Sequence, residues 1–295
     1  MAETLERVAI LGTGLLGAST GLALRAAGFA GQIVGWNRGP EQAQAALAAG
    51  AVDSIAPTAL AAASASQLVL LATPVYSILD LMEQLSGVLT PAQLVTDVGS
   101  TKAIITAAGN RHFNQPGKAG FLPGHPMAGK EVSGAANADA AIFPGAAWIF
   151  TTEEPCPDRE PPQMTPQAAA LAAEWREWAA RFGCRVLDLD AARHDELVAW
   201  VSHLPQFLST ALTALLQDEV GNAPELNSVG GRALREMTRL GSSSYSMWRD
   251  VAYTNTEAIA QALHALEQRL AHLRENLRTP ELRSEFDRAN KFRKG

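Results

Sequence analysis

Short apolar runs separated by helical segments occupy the first two thirds of the chain. Alanine-rich segments such as Glu41–Ala49 and Thr101–Ala108 lie between these runs and predict helices. Strands that alternate with helices are typical of an α/β domain, in which helices cover both faces of a doubly wound parallel sheet. The pattern predicts this domain over residues 1–190. The predicted strands are Val8–Leu11, Ile33–Trp36, Leu68–Ala72, Leu94–Thr96, Ala147–Phe150 and Arg185–Leu189.

The pattern changes after residue 190, where strand signals end. Residues 191–295 predict helices, with a break near Gly221–Pro224 and a loop at Gly241–Ser246. Aliphatic residues then recur in steps of three and four, which is the spacing of a seam between helices. This stripe either covers the chain's own core or packs against a second copy. We therefore predict an all-helical dimerisation domain and a homodimer. The stripe consists of Ile259, Leu263, Leu266, Leu270, Leu273 and Leu277.

Composition and charge exclude several classes of protein. The 295 residues carry a net charge of −6, which disfavours binding to nucleic acid or to an anionic membrane surface. Two cysteines exclude a disulfide scaffold and a Cys-rich zinc site, and no metal site is predicted. No apolar run reaches the length of a membrane span. We therefore expect a cytoplasmic protein whose partner is a small molecule.

A glycine-rich segment follows the first predicted strand and begins the first predicted helix. Its sequence is Gly12-Thr13-Gly14-Leu15-Leu16-Gly17, which has the spacing of a dinucleotide-binding loop. In such a loop the first glycine allows a tight turn, the second lets a pyrophosphate approach, and the third allows close packing. A tight turn without a ligand is the alternative. The strand–loop–helix context favours a Rossmann-type site for NAD or NADP.

The second predicted strand ends at Asn37-Arg38, where many NAD-binding proteins have an acidic residue that binds the ribose 2′-hydroxyl. An arginine accommodates the 2′-phosphate of NADP, so Arg38 slightly favours NADP. Arg38 could instead stack on adenine or face solvent, which leaves NAD usable. The ends of the third and fourth strands add further residues to the predicted cofactor site: Thr73, Pro74, Asp97 and Gly99.

Two side chains near strand ends are candidates for chemistry. Ser100 could cap the following helix, or its hydroxyl could point toward a reacting carbon. His125 lies between Gly124 and Pro126, which predicts a rigid loop beside the cofactor. Histidine titrates near neutral pH and can take the proton of an alcohol that loses hydride. His125 is therefore a candidate base, although histidines more often have structural roles.

The helical half adds a second group of polar residues. Pro205 removes a backbone donor and predicts a kink in its helix. Ser202, His203 and Gln206 near this kink could line a pocket or form a solvent-facing stripe. Arginines beside glycines and serines, Arg239 among them, suit a small anionic substrate, because guanidinium binds carboxylates through two hydrogen bonds. An ordinary charged surface is the alternative for these arginines.

Five motifs, in this order, resemble the prephenate/arogenate dehydrogenase family of tyrosine biosynthesis. They are GTGLLGAS, DVGSTK, GHPMAGKEVSG, HDELVAWVSHLP and MTRLGSSSYSMWRD, and they extend over nearly the whole chain. The resemblance implies an oxidoreductase that moves hydride from ring C4 of the substrate to nicotinamide. Loss of the C1 carboxylate then makes the ring aromatic. It also implies that His125 accepts the C4 hydroxyl proton beside Ser100, and that Arg239 binds the ring carboxylate.

The same resemblance implies substrate contacts for His203, Glu131 and Trp248, with Trp248 reaching across a dimer interface. Gln206 stands where many relatives carry a second histidine, which leaves both prephenate and arogenate open as substrates. Lys130 stands where relatives often carry threonine, and it would add a cation near the substrate.

Two other functions remain as alternatives. β-Hydroxyacid dehydrogenases share a dinucleotide domain followed by helices, but they generally rely on a lysine in the helical half. Residues 193–249 contain no lysine. A regulatory module that senses NAD(P) needs neither a base nor an anion-binding arginine, so His125 and Arg239 argue against it. Because the sequence ends at Gly295, we expect neither a C-terminal regulatory domain nor a fused chorismate mutase.

Overall fold

A computed structural model describes residues 5–152, 163–221 and 223–294 of the chain. The strands within them are β1 (Arg7–Leu11), β2 (Gln32–Trp36), β3 (Ser54–Ile55), β4 (Leu68–Leu71), β5 (Leu94–Asp97), β6 (Gly120–Leu122), β7 (Gly124–Pro126), β8 (Ala147–Thr152) and β9 (Arg185–Asp190). The helices are α1 (Leu15–Ala26), α2 (Pro40–Ala48), α3 (Ala59–Ser64), α4 (Val75–Leu85), α5 (Ala103–His112), α6 (Pro166–Arg181), α7 (Ala191–Val198), α8 (Leu204–Val220), α9 (Leu226–Val229), α10 (Arg232–Thr238), α11 (Tyr245–Thr254), α12 (Thr256–Glu275) and α13 (Glu281–Lys294).

The main sheet is parallel and has the strand order β3-β2-β1-β4-β5-β6. Successive residues of β1 face opposite sides of this sheet, as strand geometry requires. Val8 and Ile10 belong to the core formed with α1 and α6. Ala9 and Leu11 belong to the core formed with α3, α4 and α5. Helices therefore cover both faces, and the predicted doubly wound sheet is confirmed.

The last two predicted strands, β8 and β9, form a separate small sheet together with β7. Within it, β7 and β8 are antiparallel, whereas β8 and β9 are parallel. The small sheet packs on α6, where the rings of Trp148 and Trp175 lie 5.8 Å apart. The sequence did not predict β6 and β7, because strands of three residues are too short to show periodicity. His125 consequently lies in a strand, paired with Ile149, and not in the predicted loop.

Beyond β9 the described residues are almost entirely helical, as predicted. A turn of π-helix, Ala199–His203, joins α7 to α8 just before Pro205. A π turn accommodates a proline that lacks a backbone donor, so the predicted kink takes this form. Helix α8 ends at Val220, next to the predicted break. None of the helices in the described ranges is both long and apolar enough to cross a membrane.

The aliphatic stripe on α12 divides into two parts. Ile259 is 5% exposed and packs within its own chain. Leu270 is 51% exposed, and Leu277, which lies two residues beyond the end of α12, is 62% exposed. The first part of the stripe therefore belongs to the core of the chain, whereas the second part is open on its surface.

Candidate active site

The glycine-rich loop joins β1 to α1 at the carboxyl edge of the main sheet. Gly12 has a φ of +102°, and a Cβ there would lie 2.4 Å from the carbonyl oxygen of Ala72. A Cβ on Gly17 would lie 1.9 Å from the carbonyl oxygen of Gly12. Packing of the turn therefore requires both glycines. Gly14 differs from them, because a Cβ built on it meets no atom within 4 Å. The space beside Gly14 is open to a ligand.

Polar groups around this loop fit a dinucleotide. The hydroxyl oxygens of Thr13 and Thr73 are buried, and neither has a hydrogen-bond partner within the described ranges. Buried polar atoms are rarely left unpaired, since each costs about 1–3 kcal/mol unless a ligand or water satisfies it. Helix α1 begins at Leu15 and Leu16 without a side-chain cap, so its first backbone N–H groups are free to bind phosphate.

The end of β2 supports the loop from the side. The side-chain oxygen of Asn37 accepts a hydrogen bond from the backbone N–H of Thr13 at 3.2 Å, and its amide nitrogen donates to the carbonyl of Gly39 at 3.0 Å. Asn37 therefore holds the loop in place. In the part of the chain that the structure describes, the exposed Arg38 makes no hydrogen bond or ion pair, so its guanidinium is available to a ligand.

We expect Gly14→Ala to weaken dinucleotide binding by at least about tenfold, because its Cβ occupies the space through which a pyrophosphate approaches the backbone. Calorimetric titration with NAD and NADP measures this effect. The fold should survive, since the added Cβ contacts nothing. Gly87→Ala is the matched control, because a Cβ at Gly87 also meets no atom within 4 Å. Equal affinity in both variants would contradict a phosphate site at Gly14.

Asp97, at the end of β5, is fully buried and directed inward. Its carboxylate forms an ion pair with Lys102 and accepts backbone hydrogen bonds from Gly99 at 2.7 Å and Gly124 at 3.1 Å. Lys102 also donates to the carbonyl of Gly124 at 2.9 Å. The carboxylate of Asp97 is thus engaged by groups of its own chain, and its predicted contact with the cofactor stays a prediction. Asp97 and Lys102 together join the end of β5 to β7, beside His125, and no role of Lys102 could be predicted from the sequence.

His125 is the first member of a chain of buried polar side chains. Its Nδ1 lies 2.8 Å from Nε2 of His194 on α7. Nδ1 of His194 in turn lies 2.8 Å from Oδ1 of Asp195. The sequence indicated no role for His194 and Asp195, although both stand in the HDELVAWVSHLP motif. Burial lowers the pKa of His125 well below 6.5, and nearby His194, Lys102 and His203 lower it further. His125 is therefore neutral at neutral pH and can accept a proton.

Asp195 also caps helix α5. Its carboxylate oxygens accept hydrogen bonds from the backbone N–H groups of Lys102 at 2.7 Å and Ala103 at 2.9 Å. Ser100 was predicted as a possible cap, but it precedes the start of α5 and does not fill this role, because Asp195 does. Ser100 is half-buried on the loop between β5 and α5. Its hydroxyl makes no hydrogen bond to any residue that the structure describes, so it remains available to a ligand.

His203, on the π turn, lies next to these hydrogen-bonded side chains. Asn255 donates to Nδ1 of His203 at 3.3 Å and to the backbone carbonyl of Asp195 at 2.8 Å. Since Nδ1 of His203 accepts a hydrogen bond, Nε2 carries the proton, and this N–H is buried without a partner in the described residues. Burial lowers the pKa of His203 to about 4, so the ring is neutral. His203 therefore offers a hydrogen-bond donor to a ligand.

Trp248 packs on the same histidine. Its ring lies 5.8 Å from the ring of His203 and 6.0 Å from that of Phe207. The indole N–H is buried and, like that of His203, lacks a partner among the described residues. Trp248 thus packs beside His203 of its own chain, and its expected reach into a partner subunit stays a prediction. The two unpaired N–H groups suit an oxygen-rich ligand.

Arg239 follows α10 on a short 3₁₀ turn, where it pairs with Glu131 at 2.7 Å. The backbone N–H of Glu131 and then the Arg239 guanidinium hold the pKa of the Glu131 carboxyl below its usual value. Gln206 is buried and donates to the carbonyl of Leu240 at 2.7 Å, while it accepts from the Ser243 hydroxyl at 3.0 Å. The predicted pocket residue Gln206 therefore holds the segment that carries Arg239.

Lys130, the residue before Glu131, is engaged by oxygen atoms a few residues along the chain. Its ammonium pairs with Asp139 at 3.1 Å and donates to the carbonyl of Asn137 at 3.3 Å. The predicted site residues come from both halves of the chain, which meet at the Glu131–Arg239 ion pair and at the His125–His194 hydrogen bond. The main sheet supplies the glycine-rich loop, β7 supplies His125, and the helices supply His203, Arg239 and Trp248.

An open glycine-rich loop on a doubly wound sheet, in the same chain as a neutral buried histidine and an arginine, is typical of the class of nicotinamide-dependent oxidoreductases. Two family models match the chain: the nucleotide-binding domain of prephenate dehydrogenase over residues 20–168 and the dimerization domain of prephenate dehydrogenase over residues 190–290. The chain belongs to the prephenate dehydrogenase family, which confirms the resemblance drawn from its motifs.

Individual relatives agree with this assignment. Prephenate dehydrogenase of Bacillus subtilis (strain 168) is 29% identical over 261 residues, which are 88% of this chain and 67% of that protein. The crystal structure of prephenate dehydrogenase from A. aeolicus, in complex with hydroxyphenyl propionate and NAD+, has a TM-score of 0.81 and 26% identity, covering 100% of this chain and 96% of that one. Synechocystis arogenate dehydrogenase has a TM-score of 0.72 and 26% identity, covering 98% and 99%.

Proposed function

We propose that this chain catalyses the NAD(P)-dependent oxidative decarboxylation of prephenate to 4-hydroxyphenylpyruvate, a step of tyrosine biosynthesis. The observation that carries the proposal is His125, a neutral buried imidazole at the end of a hydrogen-bonded chain between the dinucleotide domain and the helical half. A binding module that only senses NAD(P) has no use for a base held in this way. Arogenate, which differs from prephenate in its side chain, is the alternative substrate.

The reaction needs a base only at the C4 hydroxyl of the ring. Bound nicotinamide supplies the hydride acceptor. His125 takes the hydroxyl proton as hydride leaves C4, which raises C4 to the level of a carbonyl. Loss of the C1 carboxylate as CO2 returns an electron pair to the ring, and the phenolic oxygen recovers the proton from His125. The electrons balance: the hydride removes two electrons from C4, and the departing CO2 leaves the electron pair of its bond to C1 in the ring.

Other residues hold the substrate for this step. We propose that Arg239 binds the ring carboxylate, because it is a half-exposed cation on a segment that Gln206 anchors. The unpaired N–H groups of His203 and Trp248 are suited to the oxygens of the substrate. Ser100, whose hydroxyl is unengaged within the described part of the chain, donates or accepts beside His125. Orientation of C4 toward nicotinamide is the main contribution of these contacts.

The cofactor proposal covers both NAD and NADP. Thr13, Gly14 and the start of α1 form the phosphate site, with Thr73 and Pro74 at the adjacent strand end. The complex of the A. aeolicus relative with NAD+ supports NAD. The available guanidinium of Arg38 supports binding of the 2′-phosphate of NADP, and this is the slight preference expected from the sequence.

Initial-rate kinetics test the function most simply. We expect turnover when prephenate or arogenate is combined with NAD or NADP, and a higher kcat/KM for prephenate than for arogenate. The four combinations also rank the two cofactors. Absence of reduced nicotinamide in every combination, from protein that binds the cofactor, would reject the proposed function.

We expect Arg239→Ala to raise KM for the substrate at least about tenfold, because a charge-assisted contact to a carboxylate contributes roughly 1.5–3 kcal/mol. Steady-state kinetics at saturating cofactor measure this change. Arg232→Ala is the control, since Arg232 lies nearby on α10 and pairs only with exposed Glu236 in the described residues. If KM were equal in the two variants, Arg239 would be an ordinary surface arginine.

We also propose that the protein is a homodimer formed through its helical half, and that it is cytoplasmic. The match of residues 190–290 to a dimerization domain supports the first statement. So do the exposed apolar side chains on the helices of this half, which include Val201, Leu270 and Phe286. A partner that packs on these helices would cover such side chains.

A further inference from the structure

We propose that His194 is a positioning residue, which accepts a hydrogen bond from Nδ1 of His125 and thereby keeps the lone pair of His125 Nε2 free for the substrate hydroxyl. His194 needs no contact with substrate or cofactor in this role. Its effect on turnover rests on the proposed function, whereas its effect on the protonation of His125 does not.

The direction of the hydrogen bonds follows from Asp195. Its carboxylate accepts from the backbone N–H groups of Lys102 and Ala103, and a carboxylate has no proton of its own to donate. Nδ1 of His194, which lies 2.8 Å from Oδ1 of Asp195, must therefore carry the proton of that hydrogen bond. A neutral imidazole has one N–H group, so Nε2 of His194 is left as an acceptor.

The second link follows from the first. Nε2 of His194 lies 2.8 Å from Nδ1 of His125, and since His194 accepts there, His125 donates from Nδ1. Nε2 of His125 then has no proton and can act as the base. The opposite tautomer of His125 would present an N–H group to the substrate and could not accept the hydroxyl proton.

Burial keeps His194 neutral, as these hydrogen-bond directions require. Burial lowers the pKa of His194, and this effect outweighs the opposing influence of Asp195. A protonated His194 would donate a hydrogen bond from its Nε2 to Nδ1 of His125, which would reverse the direction of the hydrogen bond between the two histidines. When His125 takes the substrate proton, its Nδ1–H remains hydrogen-bonded to His194. The negative Asp195 carboxylate, on the other side of His194, then faces the positive charge on His125. This is the logic by which an aspartate orients the histidine of a serine protease.

The position of Asp195 is fixed independently of the two histidines. It caps α5 through two backbone hydrogen bonds, and its own backbone carbonyl accepts from Asn255 at 2.8 Å. His194 is the residue before it on α7 and is fully buried. Nε2 of His194, the acceptor that faces His125, is therefore held in place by α7, which carries His194, and by the start of α5, which Asp195 caps.

The kinetic test compares His194→Leu with His194→Gln. Leucine fills the space but accepts no hydrogen bond, so we expect kcat to fall at least about tenfold while KM for the substrate and Kd for the cofactor change by less than about twofold. Glutamine can place an amide oxygen near the position of Nε2, so we expect it to recover most of the lost kcat. A purely structural role would not separate kcat from KM or be rescued by an acceptor.

Thr106→Val is the matched control for the loss of a buried hydrogen bond. Thr106 on α5 bonds to Thr151 on β8 at 2.9 Å, and both hydroxyls are buried. This variant should lose stability without losing kcat. If His194→Leu behaved like Thr106→Val, with wild-type kcat, the proposal would be wrong while the proposed function stood.

A measurement on the protonation state does not depend on turnover. Nitrogen NMR of the protein labelled at its six histidines distinguishes N–H from unprotonated nitrogen, and a His125→Asn sample identifies the signals of His125. We expect His125 to carry its proton on Nδ1 in the wild type and in His194→Gln, and to shift toward Nε2–H in His194→Leu. A wild-type His125 protonated on Nε2 would overturn the proposal, even for a protein that turns over no substrate.

Discussion

His125→Asn is expected to lower kcat by roughly 10²–10⁴-fold, which is the usual contribution of a general acid–base group. Asparagine has no basic nitrogen, so nothing at position 125 would take the hydroxyl proton as hydride leaves C4. The imidazole that it replaces is neutral, because burial lowers its pKa well below 6.5. Steady-state and single-turnover kinetics at saturating substrate and cofactor measure the loss.

Binding of the cofactor should be unaffected by this change, because His125 lies on β7 and not on the glycine-rich loop. We expect Kd for NAD or NADP to stay within about twofold of the wild-type value. His264→Asn provides the control, since His264 is exposed on α12. Near-wild-type turnover of His125→Asn would exclude His125 from the chemistry, whatever the effect on stability.

The second large effect is expected from Leu266→Asp combined with Leu270→Asp, which should abolish both dimerisation and activity. Leu270 is 51% exposed on α12, and α12 continues from the segment where Asn255 holds His203. Interfaces of obligate homodimers bury roughly 2,000–5,000 Å², and two buried carboxylates without partners are incompatible with such an interface. Analytical ultracentrifugation beside an activity assay measures both consequences.

Gln261→Asp combined with Gln268→Asp is the matched control for this pair. It adds the same two charges to α12, at exposed positions outside the aliphatic stripe. We expect this control to remain dimeric and active. A wild-type protein that sediments as a fully active monomer at the assay concentration would contradict the dimer. An active monomeric form of the Leu266 and Leu270 double variant would instead contradict the dependence of activity on dimerisation.

The sequence was sufficient where the signal is local. The apolar runs located β1, β2, β4, β5, β8 and β9, because each of these strands has at least four residues. The glycine-rich loop was recognisable because Gly12 and Gly17 are needed by the turn itself, whereas the small size of Gly14 is needed only by a ligand. The positions of His125 and Arg239 near the site followed from motifs and not from periodicity.

The parts that the sequence did not predict depend on contacts between distant residues. His125 and His194 are 69 residues apart, and the backbone of Lys102 meets the Asp195 carboxylate across 93 residues. A polar residue in a sequence shows no sign of whether it will be buried or which partner it will meet. For this reason the sequence left two roles open for Ser100, a helix cap or a hydroxyl near the reacting carbon, and indicated no role for Lys102, His194 and Asp195.

The central claim is that this chain oxidises and decarboxylates prephenate in one active site. The most direct test is the stoichiometry of the complete reaction, measured as reduced nicotinamide, CO2 and 4-hydroxyphenylpyruvate formed per molecule of prephenate consumed. The proposed mechanism predicts equal amounts of all three, formed at the same rate and lost together in His125→Asn. Reduced nicotinamide without CO2, or consumption of prephenate without reduction of the cofactor, would contradict it.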